Sequence, residues 1–318
     1  MKVGLCLGAG GLVGQAYHAG VLAALHTDLG WDARSADLVV GTSAGSLTGA
    51  MLRAGTSPFD LASFVVGRTW TPDQYFLEGL DAIRSNLPPL ELRLLLRPWQ
   101  LPAPRTWIPS RRKPWAFRPM AIISSMLPDG RTTMEDLIAR HLVGWVEETW
   151  PEGLWICAVR QKDGHRCVFG QQQSKSISLP SAVAASCCIP GYFAPVTIAG
   201  QRYLDGGIHS PTNADLLVSE HLDLAIIVSP MSGGGSRVDR ALRVFAQRRL
   251  RTEVKQLEQV GTKVIHFEPG PSSSRAMGFN PMATDGLDRV LQAAFFEAGA
   301  FAARPENRRL LAPIGAAR

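Results

Sequence analysis

The chain has 318 residues, with 46% hydrophobic and 19% charged side chains. That balance supports a packed core and excludes a disordered chain. The net charge of +6 is small for the length, and five cysteines without a Cys-x-x-Cys pair exclude a zinc ribbon or disulfide framework, pointing to free thiols in a reducing compartment.

Val3–Leu7 is a short apolar run of the kind that forms a buried parallel strand. It empties into Gly8-Ala9-Gly10-Gly11-Leu12-Val13-Gly14, after which Ala16, Ala19, Leu22, Ala23 and Leu25 follow helical spacing to about Leu29. The uncharged stretch from Val3 to Thr27 is not a membrane span or signal peptide in this reading, because its glycines with Gln15, His18 and His26 make a poor apolar helix. Strand, glycine turn and helix together form an anion site. A dinucleotide pyrophosphate or an acyl-transfer oxyanion would fit it. The dinucleotide fingerprint requires glycine at position 13, which is Val13, and the nearby acids Asp32 and Asp37 precede the second strand where a ribose-binding acid would follow it.

The next strand, Leu38–Val40, runs into Gly41-Thr42-Ser43-Ala44-Gly45 and then a helix over Ala44–Arg53. That is the layout of a nucleophile elbow, with Ser43 on the strained turn and Gly41 and Gly45 where crowded backbone leaves no room for a Cβ. Ser57-Pro58 opens another helix to about Val66.

From about 84 to 128 the composition changes. No acidic residue lies between Glu91 and Asp129, whereas Arg111, Arg112 and Lys113 cluster among Trp99, Trp107 and Trp115, and eight prolines fall between Pro88 and Pro119. The prolines exclude long helices. Basic and indole side chains suit an anionic membrane surface, and equally a proline-rich loop packed on the protein body; a nucleic-acid backbone is the weakest of the three partners and is not expected.

Thr132-x-x-Glu135 reads as a capping box for a helix through Leu137, Ile138, Leu142 and Trp145. Leu154–Arg160 and Arg166–Phe169 read as a hairpin, Ser181–Cys187 as a helix, Pro190–Pro195 as a loop, and Val196–Leu204 as two strands turning at Gly200. Asp205-Gly206-Gly207 then places an aspartate at a strand end, which a simple turn would also explain. Leu224–Val228 and Val264–Phe267 are further strands, with a flexible loop expected at Gly233–Gly235. Val238–Val260 is a helix with a basic face that includes Arg243, Arg248, Arg249 and Arg251, and Asp285 to about Ala303 is a terminal helix. The alternation implies an α/β fold with a mainly parallel sheet.

Three motifs in order, Gly8–Gly14, Gly41–Gly45 and Asp205–Gly207, resemble those of the patatin-like phospholipases. Ala185–Pro195 and Ala276–Met282 resemble further segments of that family. The resemblance implies a patatin-like three-layer fold over residues 1–318 as a single domain, with the 84–128 stretch as an insert. It also implies a serine acyl hydrolase acting on lipid esters through Ser43 as nucleophile and Asp205 as general base. Gly10 and Gly11 would supply the oxyanion donors, and Gly8, Gly14, Gly41, Gly45, Gly206 and Gly207 would be motif glycines. No metal or other cofactor is expected, and the expected location is the cytoplasm or the membrane periphery.

Two readings stand beside this one. His209 or His266 would complete a Ser–Asp–His triad, and a non-catalytic lipid-binding protein would keep the same fold. The chain departs from the family in one respect: the family's first loop carries Arg or Lys where this sequence has Val13. The amide donors are retained, but a contact from that cation to a phosphate headgroup is not.

Overall fold

A computed structural model describes residues 1–67, 123–124, 126–134, 138, 150–171, 177–233 and 240–315. The Trp and Arg/Lys residues singled out between 84 and 128 lie outside them, as do most of the helix expected after Thr132 and the end of the Gly233–Gly235 loop.

The strands β1 (Val3–Leu7), β2 (Leu38–Thr42), β4 (Leu154–Arg160), β9 (Leu224–Val228) and β10 (Lys263–Phe267) lie parallel in the order β10-β9-β1-β2-β4. Beyond β4 the sheet turns antiparallel through β8 (Gln201–Asp205) and β7 (Val196–Ile198), while β5 (His165–Phe169) closes a hairpin on β4. A separate ladder pairs β3 (Thr132–Thr133) with β6 (Phe193–Ala194). Two assignments are thereby corrected. Thr132 begins a two-residue strand, and the stretch read as loop at 190–195 supplies its partner.

Successive strand residues face opposite sides, and the packing follows that alternation. Leu5, Leu7, Val39 and Val228 join the larger apolar cluster, while Cys6, Val40, Ala225 and Ile227 join the smaller one. On the larger side lie α1 (Gly11–Leu29), α2 (Ala44–Arg53), α3 (Pro58–Val66), α4 (Leu179–Ser186), α6 (Pro271–Met277), α7 (Leu287–Ala302) and α8 (Pro305–Gly315). On the smaller side lies α5 (Arg240–Gln259), which inserts Leu250, Val254 and Leu257. The sheet is thus the middle of three layers.

The start of α3 is set locally, because Ser57 and Asp60 form a reciprocal capping box with Pro58 at the first helical position. The acids weighed for a ribose have structural partners. Asp37 accepts the Val3 N–H at 2.6 Å, and Asp32 pairs with Arg34. Arg243 does not lie on an exposed basic face: it is buried, with its guanidinium turned to the Pro230 and Ser232 carbonyls. Among the described residues, no helix is long and apolar enough to cross a membrane, and no group of three or more His, Cys, Asp or Glu could hold a metal ion. All five cysteines are free.

Candidate active site

The site forms where the C-terminal ends of β1 and β2 meet the end of β8. Ser43 follows β2 with φ 53° and ψ −121°. This left-handed conformation costs a non-glycine residue about 1–3 kcal/mol and persists only where its surroundings enforce it. Four hydrogen bonds do so here. The Ser43 N–H donates to Ser186 Oγ at 2.8 Å, and Ser186 Oγ donates to the Cys157 carbonyl at 2.6 Å. Ser46 Oγ and the Ser46 N–H both donate to the Ser43 carbonyl, at 2.7 and 2.8 Å.

The glycines flanking the turn are demanded by space. A Cβ on Gly45 would lie 1.9 Å from the Leu7 carbonyl oxygen, and one on Gly41 would lie 2.6 Å from the Gly45 carbonyl oxygen. Gly45→Ala is therefore expected to push α2 away from β1 and to destabilise the fold by about 3 kcal/mol or more, beyond the usual cost of overpacking. A urea titration beside the wild type measures this, and an unchanged midpoint would contradict the crowding.

Asp205 ends β8 and is buried, 6% exposed. Its N–H donates to the Cys188 carbonyl at 2.9 Å, and its Oδ1 accepts the Gly207 N–H at 2.7 Å. The Ser43 hydroxyl lies close enough to the Asp205 carboxyl to favour its charged form. Burial pushes that carboxyl up from 3.8 to about 6, against the opposing pull of the Ser43 hydroxyl and the Gly207 N–H. The tight 3-10 turn over Gly206–Ile208 carries Asp205 inward, and a Cβ on Gly206 would lie 2.3 Å from the Cys157 carbonyl oxygen.

The glycine-rich loop comes within reach of the same point, since a Cβ on Gly207 would lie 3.3 Å from the Ala9 Cβ. Gly8 and Ala9 spend their N–H groups on Val228 and Pro211 carbonyls, at 2.9 and 2.8 Å, and Val13 donates to Pro281 at 3.2 Å. The amides of Gly10, Gly11 and Leu12 have no backbone acceptor among the described residues. Helix α1 begins at Gly11, a turn earlier than the sequence suggested, so these amides sit at its positive end. The motif at 276–282 packs against this loop, the Pro281 carbonyl facing Gly11 and Val13. Val13 itself is 3% exposed within the larger core.

The histidines considered for a triad stand differently. His266 lies in β10 with its Nε2 3.3 Å from Glu268, and His209 caps the turn after Asp205. Three further residues escaped the sequence reading. Ser186 was legible only as part of the 185–195 segment, and Asn213 and Glu253, described below, gave no motif signal at all.

A sequence model described as "Patatin: Patatin-like phospholipase" matches residues 5–218. The chain belongs to that family, whose members act on lipid substrates. Among solved structures, VipD from Legionella pneumophila is similar at 14% identity and a TM-score of 0.43, over 98% of this chain and 66% of that one. The type III effector protein ExoU is similar at 16% identity and a TM-score of 0.40, over 99% of this chain and 53% of that one. The chain thus spans just under two thirds of the first and about half of the second. Comparison with curated protein sequences returns no match.

Proposed function

We propose that this protein is a serine acyl hydrolase that cleaves carboxylic esters of lipids through Ser43 and Asp205. The observation that carries the reading is the buried Ser43 on its strained turn, set beside the buried Asp205 carboxyl of raised pKa. A base poised near the working pH is what proton abstraction from a hydroxyl requires.

In this reading Ser43 Oγ attacks the ester carbonyl carbon and Asp205 takes its proton. The carbonyl oxygen becomes negative and is held by the free amides at Gly10 and Gly11 and by the N-terminus of α1. Collapse expels the alcohol, which recovers the proton from Asp205, and leaves an acyl-Ser43. Water, deprotonated by Asp205, then releases the fatty acid. A direct carboxylate–serine pair does this without a histidine, which favours a dyad over a triad. Because Val13 is buried, that position offers no cation to a phosphate headgroup, so acyl ester chemistry is better supported than phospholipid preference. The basic, Trp-rich stretch of 84–128 would supply affinity for an anionic lipid surface.

The test is the pH dependence of p-nitrophenyl butyrate hydrolysis. Asp205 acts as carboxylate, so kcat/KM is expected to rise about tenfold per pH unit below 6 and level off above about 6. A rate that is flat from pH 4.5 to 8, or that falls across the range, would contradict Asp205 as base.

A further inference from the structure

Behind the sheet lies a buried polar cluster that the proposed chemistry does not use. Its centre is Glu253 on α5, 4% exposed and outside the residues 5–218 matched by the family. Its Oε1 accepts from Ser210 Oγ at 2.6 Å, and its Oε2 accepts from Thr212 Oγ1 at 2.5 Å and from the Ala214 N–H at 3.0 Å. Burial pushes the Glu253 carboxyl up, while these three donors favour its charged form.

The segment Glu253 grips, 210–214, touches all three parts of the site. Pro211 accepts the Ala9 N–H at 2.8 Å, fixing the glycine-rich loop. Asn213 Nδ2 donates to Thr42 Oγ1 at 3.1 Å, next to Ser43, and to the Ser210 carbonyl at 2.6 Å. The Ser210 and His209 N–H groups donate back to the Gly206 carbonyl, inside the turn that carries Asp205. Asn213 sits at φ 55°, and Arg166, paired with Asp215, donates to its Oδ1 at 3.2 Å, which fixes the orientation of the amide. A carboxylate that grips this segment at Ser210, Thr212 and Ala214 would hold nucleophile, base and oxyanion loop in one register.

We infer that Glu253 is a positioning residue for hydrolysis, acting through the 210–214 segment on Ser43, Asp205 and the Gly10–Gly11 loop. This rests on the proposed Ser43 chemistry. Glutamine is a demanding replacement. Its amide would present a donor to Ser210 Oγ, which already accepts from the Thr212 and Asn213 N–H groups at 3.3 and 3.1 Å.

The experiment compares wild type, Glu253→Gln and Asn213→Gly, with active enzyme counted by complete fluorophosphonate labelling of Ser43. Per titrated serine, kcat for p-nitrophenyl butyrate is expected to fall about 10- to 100-fold in both variants, with KM within about threefold, as expected for small misplacements of reacting groups. A cluster that only stabilises the fold would lower the yield of titratable enzyme and leave kcat per site unchanged; that result overturns the inference. Glycine accepts the positive φ of position 213 without strain, so Asn213→Gly carries the test if Glu253→Gln does not fold. A wild type that takes no label at Ser43 would overturn the Ser43 reading and this inference with it. An active wild type with unimpaired variants would overturn the inference alone.

Discussion

Ser43→Ala is expected to abolish ester hydrolysis, lowering kcat on the order of 10⁶-fold, because the neighbouring Thr42 and Ser46 hydroxyls donate to the Thr212 and Ser43 carbonyls and residual rate would come from binding and amide donors alone. The variant is expected to fold. Alanine accepts the φ of 53° at much the same cost as serine, and the bonds that hold the turn run from the Ser43 backbone, through Ser186 and Ser46, and survive the change. KM for a soluble ester is expected to move little. Steady-state rates with p-nitrophenyl butyrate, alongside a thermal melt, check both parts. A folded Ser43→Ala enzyme retaining full rate would remove Ser43 from the mechanism.

Asp205→Asn carries the second large effect and a less obvious consequence for stability. An amide cannot take the proton from Ser43, so kcat is expected to fall about 10²- to 10⁴-fold. The fold should gain stability. In the wild type the buried carboxyl holds its proton up to about pH 6, against 3.8 when solvated, so the folded state is favoured below pH 3.8 and loses that advantage as pH rises through 6. At pH 8 the full cost of the buried charge is present, about 1–3 kcal/mol. Asparagine escapes it while its Oδ1 keeps the Gly207 N–H and its amide group faces Ser43. Urea unfolding is expected to show Asp205→Asn more stable than wild type at pH 8, with the difference vanishing near pH 4. A variant less stable than wild type at pH 8 would mean that the carboxylate is net stabilising.

How much of this was legible in the sequence depended on the kind of signal each residue gives. Continuous apolar runs announce strands buried on both faces, so β1, β2 and β9 were read almost to the residue. Gly41, Gly45 and Asp205-Gly-Gly were legible because close backbone approach leaves few alternatives to glycine. Helices α6 and α8 were not, since α6 buries only Ser273 and Met277, and α8 carries Pro313 inside it and buries Asn307 beside Leu311 and Ile314. Strands β3 and β6, two residues each, are too short to show any alternation. On α5 the hydrophobic pattern misled. Its buried stripe runs Arg243, Ala246, Leu250, Glu253, Val254, Leu257, so two charged residues occupy inward positions that a polarity reading assigns to solvent. The proposed partnership of Ser43 with Asp205 rests in the sequence on the family resemblance, because nothing local in either motif points to the other, half the chain away.

The central claim is that Ser43 is a nucleophile activated by Asp205, and covalent capture tests it most directly. The wild-type protein would be treated with a fluorophosphonate at pH 8, digested, and its peptides mapped by mass spectrometry, with Asp205→Asn in parallel. The expected result is a single phosphonylated serine at position 43, formed far more slowly in Asp205→Asn. Labelling of another serine, or equal labelling rates in the two proteins, would contradict it.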